Sequence, residues 1–394
     1  VLKQAAIFGQ NGSGKSNMVK GLEFIKTFVL NRDFLKNINL EQFFFHLKPQ
    51  SDTEPMYLAI EFEIAGKYFF YEIEVLKSGV KRETLYETHP LEGKQDLIFD
   101  RQESKVTFAE TVSGDDVINK ATEEMLAKNK LSSFISLNKE FPLIRDARVG
   151  MVTKWMDESL DIINVHTVIP ALIELLRKDK DIMKFAQQTV AQLQLGIDGV
   201  TLSGEEYESW AKRNDMLVRQ QYGNVEDISM LSLNSNNTPI LSTAIENGIS
   251  KVYQLMFENV GKNEFVGHLD ASSQSEGTLR SLMLLPALYL ASKRGKIVVV
   301  DDINISLSHS MVKGLVGYFA NMEDTNGQLI FTTHDIQLLD EKSILRSDEV
   351  WFVDKKDGAS IMYSHNDFKE HHSISMYNGY NEGRFGAIRF INLS

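Results

Sequence analysis

The 394-residue chain contains no cysteine. Disulfides and thiolate metal sites are therefore excluded, and the composition fits a reducing cytoplasm. There is no apolar run of roughly 18 residues and no charged-then-apolar leader at the N-terminus, so neither membrane insertion nor export is indicated. Positive charge is scarce: 42 Lys and Arg stand against 54 Asp and Glu, a net charge of −12. That balance argues against a surface coated for nonspecific DNA binding and leaves only a local basic groove open. Sustained heptads are absent, so no long coiled coil is expected, and no repeat or low-complexity tract stands out. Methionine is missing from the first position, which is Val1; the expectation is that the sequence begins inside a longer polypeptide and lacks an upstream strand. What is present is enough apolar content, 43%, for a real core in a chain long enough for two or more domains.

Residues 9–16 read GQNGSGKS, a complete G-x-x-x-x-G-K-S loop between the apolar run Ala5-Ala6-Ile7-Phe8 and the helix-like stretch NMVKGLEFIKTFVL. Gly9, Gly12 and Gly14 let the backbone curl so that successive N–H groups face one phosphate. Lys15 then reaches the β and γ phosphates, and Ser16 offers its hydroxyl to Mg²⁺. The candidate nucleotide contacts are Gly9, Asn11, Gly12, Ser13, Gly14, Lys15, Ser16 and Asn17. This pattern marks a nucleoside-triphosphate binder.

Alternation over 56–65 and again over 68–76, around a turn at Gly66-Lys67, predicts a β-hairpin extended by the segments near 80–88 and 96–108. From 110 to 262 the texture reads as helical, with 171–195 the clearest amphipathic stretch and 229–242 a polar break. This segment is expected to be an insertion, either an arm or docking lid or a plain helical subdomain. From 263 onward strands and helices alternate: FVGHL, a helix from Thr278 to Ser292, KIVVVDD, a helix after Ser310, QLIFTTHD, EVWFVDK and ASIMYS. Such alternation predicts a parallel sheet buried on both faces. The expected domains are 1–109, 110–262 and 263–394.

The strand Ile297-Val298-Val299-Val300 delivers Asp301 and Asp302 to its C-terminal edge, where Asp301 is placed to hold Mg²⁺. Upstream, Ser275-Glu276-Gly277-Thr278 opens a helix, so Ser275 is either a phosphate contact or an ordinary cap. Downstream, Leu329–Thr333 forms a buried strand ending in His334.

In this order and spacing the elements resemble the ATP-binding-cassette type of ATPase: Walker A, inserted arm, signature motif, Walker B and switch histidine. The resemblance implies an α/β P-loop NTPase, an ABC-type ATPase head with an antiparallel β-hairpin lobe and an inserted helical subdomain. It further implies ATP and Mg²⁺ as cofactors, Ser16 and Asp301 as metal ligands, Ser275 and Gly277 as nucleotide contacts, and Asp302 and His334 as catalytic residues. Heads of this type face one another, the signature of one completing the site of the other. GTLRSLMLLPAL, LIFTTHDIQLLD, DEVWFVDKKDG and YNGYNEGRFGAIRFI are similar to cassette-type ATPases of prokaryotic abortive-infection and anti-phage defence, AAA-family proteins of the fifteenth class. The similarity covers 5–76 and 270–391. It implies self-association as a head-to-head homodimer or higher oligomer, a separate nuclease effector of the Toprim type, and a phage-encoded trigger protein. Nucleic acid stays open as a partner, through the alternative of a Rad50-like or SMC-like head that clamps DNA.

The chain departs from that family at Asp302, where the family places Glu. A carboxylate one methylene shorter predicts slow hydrolysis, since misplacing a catalytic group by about 1 Å can cost on the order of 10²-fold. Asn304, Ile305, Ser308 and His309 replace the usual acid, basic residue and His-Pro of the following loop, which puts cross-subunit communication in doubt. His334 is read as the switch residue or as a histidine capping a strand end. His371-His372, Lys293-Arg294 and Lys355-Lys356 read as solvated, Gln50 stands in an unremarkable context for the family's Q-loop glutamine, and Arg384 has no assigned role.

Overall fold

Strand β1 (Gln4–Phe8) is buried because strands lie on both sides of it and helices cover the sheet. The computed structural model describes residues 2–47, 54–110, 112, 116–164, 169–193, 196–214, 241–340, 344–368 and 375–387. They divide into two compact units. The first comprises the described residues of Val1–Lys15, Ile163–Lys356 and Ser360–Ser394, the second those of Ser16–Ile162 and Asp357–Ala359.

In chain order the helices are α1 (Lys15–Leu30), α2 (Asp116–Lys128), α3 (Phe134–Glu140), α4 (Ala147–Glu158), α5 (Ile169–Lys178), α6 (Lys180–Leu193), α7 (Tyr207–Arg213), α8 (Glu276–Lys293), α9 (His309–Ala320) and α10 (Met376–Asn381). The sheet of the first unit has the order β15 (Ala359–Ser364), β14 (Val350–Lys356), β1, β13 (Gln328–Thr333), β12 (Ile297–Val300), with Ile163 of β7 (Leu160–Ile163) at the far edge. β1 pairs in parallel with β13, Gln4 opposite Leu329 through Phe8 opposite Thr333, and with β14. β12 pairs in parallel with β13. The expected parallel sheet is thus observed, with β13 inserted between the strand that feeds the phosphate loop and the strand that ends in Asp301. This is a mixed α/β fold with a parallel sheet between helices.

Phe8, Val298, Val300, Phe331 and Phe352 pack with Leu285 and Leu288 of α8 and Leu315 and Phe319 of α9 in one apolar core. Fully burying each such side chain is worth about 1.5–3 kcal/mol relative to exposure. That core fixes where the loops at the strand ends stand.

Two expectations need correction. The 110–262 segment is not wholly helical: it contributes β8 (Gly199–Glu206), β9 (Leu241–Glu246) and β10 (Ile249–Val260) to a second, antiparallel sheet in the first unit. A turn at Asn247-Gly248, with φ of 52° and 79°, sets the β9–β10 hairpin. The segment FVGHL forms β11 (Val266–Asp270), which pairs antiparallel with β10 and does not join the parallel sheet. Only a short loop separates β10 from β11, too little chain for a parallel crossover. The amphipathic run 171–195 is α5 and α6, interrupted at Asp179; within the polar break 229–242, residues 229–240 lie outside the described residues.

The second unit carries the predicted hairpin as part of a five-stranded antiparallel meander: β2 (Met56–Ile64), β3 (Lys67–Leu76), β4 (Gly79–His89), β5 (Lys94–Gln102) and β6 (Lys105–Phe108). The β2–β3 turn falls at Ala65-Gly66, both at positive φ, and Lys67 already pairs with Ile64. Trp155 of α4 stacks on Phe62 at 4.2 Å and Phe134 of α3 packs on Phe99 at 4.6 Å, which closes one face. Beneath α3 lies a fully buried pair, Arg101 and Glu83. Arg101 Nη1 donates to Ser132 O at 2.6 Å and to Glu83 Oε2 at 3.2 Å. Glu83 also accepts from Phe134 N, Ile135 N and the Tyr71 hydroxyl. Burial pushes the Glu83 carboxyl up and the Arg101 guanidinium down, each opposed by the other's charge.

Candidate nucleotide site

β1 ends at Phe8 and the chain turns through residues 9–14 into α1. Gly12 and Gly14 stand at φ of 77° and 106°, backbone conformations that L side chains rarely adopt. Gly9 is required for a different reason: a Cβ there would lie 2.6 Å from Val353 O of β14. Ser13 is buried, and its Oγ has no hydrogen-bond partner among the described residues. Asn11 is exposed at the tip of the loop. Lys15 is only 6% exposed, and its Nζ donates to Gly9 O at 2.6 Å and Gln10 O at 3.2 Å. Burial pulls the ammonium below the usual lysine range, while the Asp302 and Asp301 carboxylates oppose that shift. The electrostatics therefore join the phosphate loop to the end of β12. Ser16 and Asn17 follow Lys15 in the first turn of α1.

Asp301 is buried, its N–H donates to Ile163 O at 2.8 Å, and its Oδ1 accepts from Thr332 Oγ1 at 2.7 Å. Thr332 Oγ1 in turn accepts from Asp302 N at 2.7 Å. One hydroxyl from β13 thus holds the Asp301 carboxylate and the Asp302 backbone. Asp302 has φ of 45°, so the turn after β12 holds a left-handed residue. Arg280 of α8 is buried; its Nη2 donates to Asp301 O at 3.3 Å and its Nη1 to Asn164 O at 3.5 Å. Burial lowers its affinity for the proton, and Asp301 and Asp302 oppose this.

Ser275 caps α8: its Oγ accepts from Thr278 N at 3.1 Å and lies 2.9 Å from Thr278 Oγ1. The capping alternative is therefore realised, which leaves the exposed hydroxyl at the positive end of an 18-residue helix. A Cβ on Gly277 would lie 2.8 Å from Ser306 O, and Ser306 Oγ donates to Glu276 Oε2 at 3.3 Å. The start of α8 and the turn after β12 are thus in direct contact. His334 is exposed at the end of β13, beside Asn304.

Sequence reasoning passed over Arg280 and Thr332. The first carried a signal, a lone cation in the apolar run GTLRSLMLLPALYL. The second carried none, because threonine is ordinary in a strand. Of the side readings, Arg294 pairs with Asp179 and Asp181, and Arg384 pairs with Glu382 in solvent. Gln50, His371 and His372 lie outside the described residues.

A lysine inside a glycine-curled loop, a buried serine hydroxyl without a hydrogen-bond partner among the described residues and two consecutive acids at the end of β12, the first held by a threonine, form a set of groups that fits a triphosphate with a divalent cation. No group of His, Asp and Glu able to hold a metal on its own is found among the described residues, so phosphate oxygens would have to complete the shell. No described helix is long and apolar enough to cross a membrane.

No curated protein matches the chain. Among solved structures, it is similar to an SMC head domain from Thermotoga maritima, at 14% identity and a TM-score of 0.41, covering 92% of this chain and 90% of that one. An SmcHead bound to the C-winged helix domain of ScpA matches at 14% identity and a TM-score of 0.45, covering 95% and 91%. A Smc head domain with an extended coiled coil, bound to the C-terminal domain of ScpA derived from Pyrococcus furiosus, matches at 13% identity and a TM-score of 0.37, covering 92% and 90%. A family model described as "AAA domain, putative AbiEii toxin, Type IV TA system" matches residues 5–340, from the strand before the phosphate loop to beyond His334. The chain belongs to that AAA-domain family.

Proposed function

We propose that the protein binds ATP with Mg²⁺, hydrolyses it slowly, and uses the bound nucleotide to hold heads together. The observation that carries this reading is Lys15: a buried cation held inside the glycine-curled loop by the Gly9 and Gln10 carbonyls, at the sheet edge where β12 ends in Asp301 and Asp302. Residues 9–17 form the phosphate cradle, and Mg²⁺ would take Ser16 and Asp301 as protein ligands and neutralise phosphate charge. Asp302 positions the attacking water, and its short side chain keeps turnover low. Ser275 and Gly277 present a hydroxyl and a helix N-terminus to the nucleotide of a facing head, and His334 donates to the transferred phosphate.

Membership in a family whose model carries the AbiEii name supports a place in a toxin–antitoxin or anti-phage system. In this reading the assembled heads act as sensor and scaffold for a separate nuclease effector of the Toprim type, as in a PARIS-type system, released by a phage-encoded trigger. Co-purification with neighbouring gene products, with and without Mg-ATP, tests it. An effector-containing complex that needs intact Lys15 is expected; recovery of a bare monomer under every condition contradicts the reading. Duplex DNA retained only with ATP, and lost as salt rises, would favour a DNA clamp instead.

A further inference from the structure

The phosphate loop leans on the two strands at one end of its sheet. β14 pairs with β1, and β15 pairs with β14 as the edge strand. β14 bounds the loop at Gly9, where a Cβ would lie 2.6 Å from Val353 O. β15 reaches it at Ser13: Ser360 Oγ donates to Ser13 O at 2.6 Å. Ser13 is itself buried, and its N–H donates to Gln10 O at 3.1 Å. The Gly9 and Gln10 carbonyls accept from Lys15 Nζ, so the loop is held from within by Lys15 and from outside by Ser360.

Ser13 O and Gly14 N belong to one peptide plane. A trans peptide turns its C=O and its N–H to opposite sides, so a carbonyl tied to β15 fixes the Gly14 N–H in the direction away from β15. Gly14 stands at φ of 106°, and glycine is as much at ease at negative φ, so its own backbone does little to stop this peptide from flipping. Flipped, the plane would present a carbonyl oxygen where an N–H had stood, and that oxygen repels a phosphate. Gly14 directly precedes Lys15, the first residue of α1, where backbone N–H groups find no carbonyl one turn earlier. Such groups are the donors that an anion takes.

We propose that Ser360 is a positioning residue of the phosphate loop, locking the Ser13–Gly14 peptide so that the Gly14 N–H stands as a donor to phosphate. That a phosphate takes this donor rests on the nucleotide reading above; the orientation of the peptide does not. Ser360 acts through the loop and not by touching the nucleotide. Its loss therefore weakens whatever the loop holds by its phosphates, with or without a base attached.

The test titrates the full chain calorimetrically with Mg-ATP and, separately, with Mg-tripolyphosphate, which carries the phosphates without the base. Ser360→Val and Ser360→Thr introduce side chains of nearly the same shape that differ in the hydroxyl. Ser360→Val is expected to weaken both ligands by the same factor, about 3–10-fold, the worth of one neutral hydrogen bond, and Ser360→Thr should recover most of that loss. A second readout needs no nucleotide. In protein made by cell-free synthesis with ¹³C-carbonyl serine and ¹⁵N-glycine, the Gly14 amide is assigned by the loss of its carbonyl coupling in Ser13→Ala. Its chemical shift should move in Ser360→Val and stay near the wild-type value in Ser360→Thr. Affinities no better in Ser360→Thr than in Ser360→Val, or a loss for Mg-ATP with tripolyphosphate binding intact, overturn the proposal. So does a Gly14 amide at one shift in wild type and both variants. A wild type that binds neither ligand removes the nucleotide reading, and the Gly14 amide then decides alone whether Ser360 holds the loop.

Discussion

Lys15 is a buried cation that the phosphate loop satisfies with two of its own carbonyls. Lys15→Ala removes both the charge and the reach to the phosphates, and is expected to weaken ATP binding by at least about 100-fold in a calorimetric titration, in line with the loss of a charge-assisted contact. In the proposed mechanism Asp302 governs rate and not binding. Its φ of 45° suits aspartate better than glutamate, so Asp302→Glu gains reach at a modest backbone cost. Faster single-turnover hydrolysis with little change in ATP affinity is expected; an unchanged rate in a protein that already hydrolyses ATP rapidly would refute the clamp reading. At Gly277 the added methyl of Gly277→Ala would meet the backbone carbonyl of Ser306 at 2.8 Å. That carbonyl is not a flexible side-chain end, so urea denaturation should show a loss of about 1–3 kcal/mol despite the better helix propensity of alanine.

At the scale of elements, the meander of the second unit depends on the Arg101–Glu83 pair below α3. Arg101→Ala would strand a buried carboxylate, a change that typically costs about 3–5 kcal/mol and should appear as a large drop in the denaturation midpoint. In the first unit, Arg177 and Lys178 hold the α5 carboxyl of Glu174 down to about 2, the Arg177 hydrogen bond being the largest cause. A depressed carboxyl stabilises the fold above its unfolded pKa. That contribution is lost as pH falls from about 4.5 toward about 2. Glu174→Gln should flatten the melting temperature over that window, by a small amount because the ion pairs of Glu174 lie at the partly exposed surface of α5. These elements also show what the sequence made legible. Strands β1, β12 and β13 were readable because a continuous apolar run that ends in Gly9, Asp301 or His334 fits little besides a strand buried on both faces. The sheet formed by β8, β9, β10 and β11 was not, although Asn247-Gly248 is a strong hairpin signal, because helical periodicity over 171–195 dominates the pattern of the whole segment. The Asn304 and Thr332 contacts were illegible on different grounds: they join residues about 30 positions apart, and nothing in a one-dimensional pattern shows such a pairing.

At the scale of the molecule, the phosphate loop, the acids after β12 and the end of β13 meet at one edge of a parallel sheet, where ligands of such folds bind. The start of α8, carrying Ser275, touches the same turn through Gly277 and Ser306. Ser275 keeps an exposed hydroxyl at a helix N-terminus, and in the proposed assembly it faces a nucleotide on a second copy. In the proposed function, nucleotide binding and assembly are linked. Native mass spectrometry of the purified full chain, with and without Mg-ATP, measures both at once. A shift from monomer to dimer or higher oligomer carrying bound ATP, absent in Lys15→Ala and weakened in Ser275→Arg, is the predicted result; a wild-type chain that binds ATP yet has the same mass distribution as without it, or that binds none, would contradict the account.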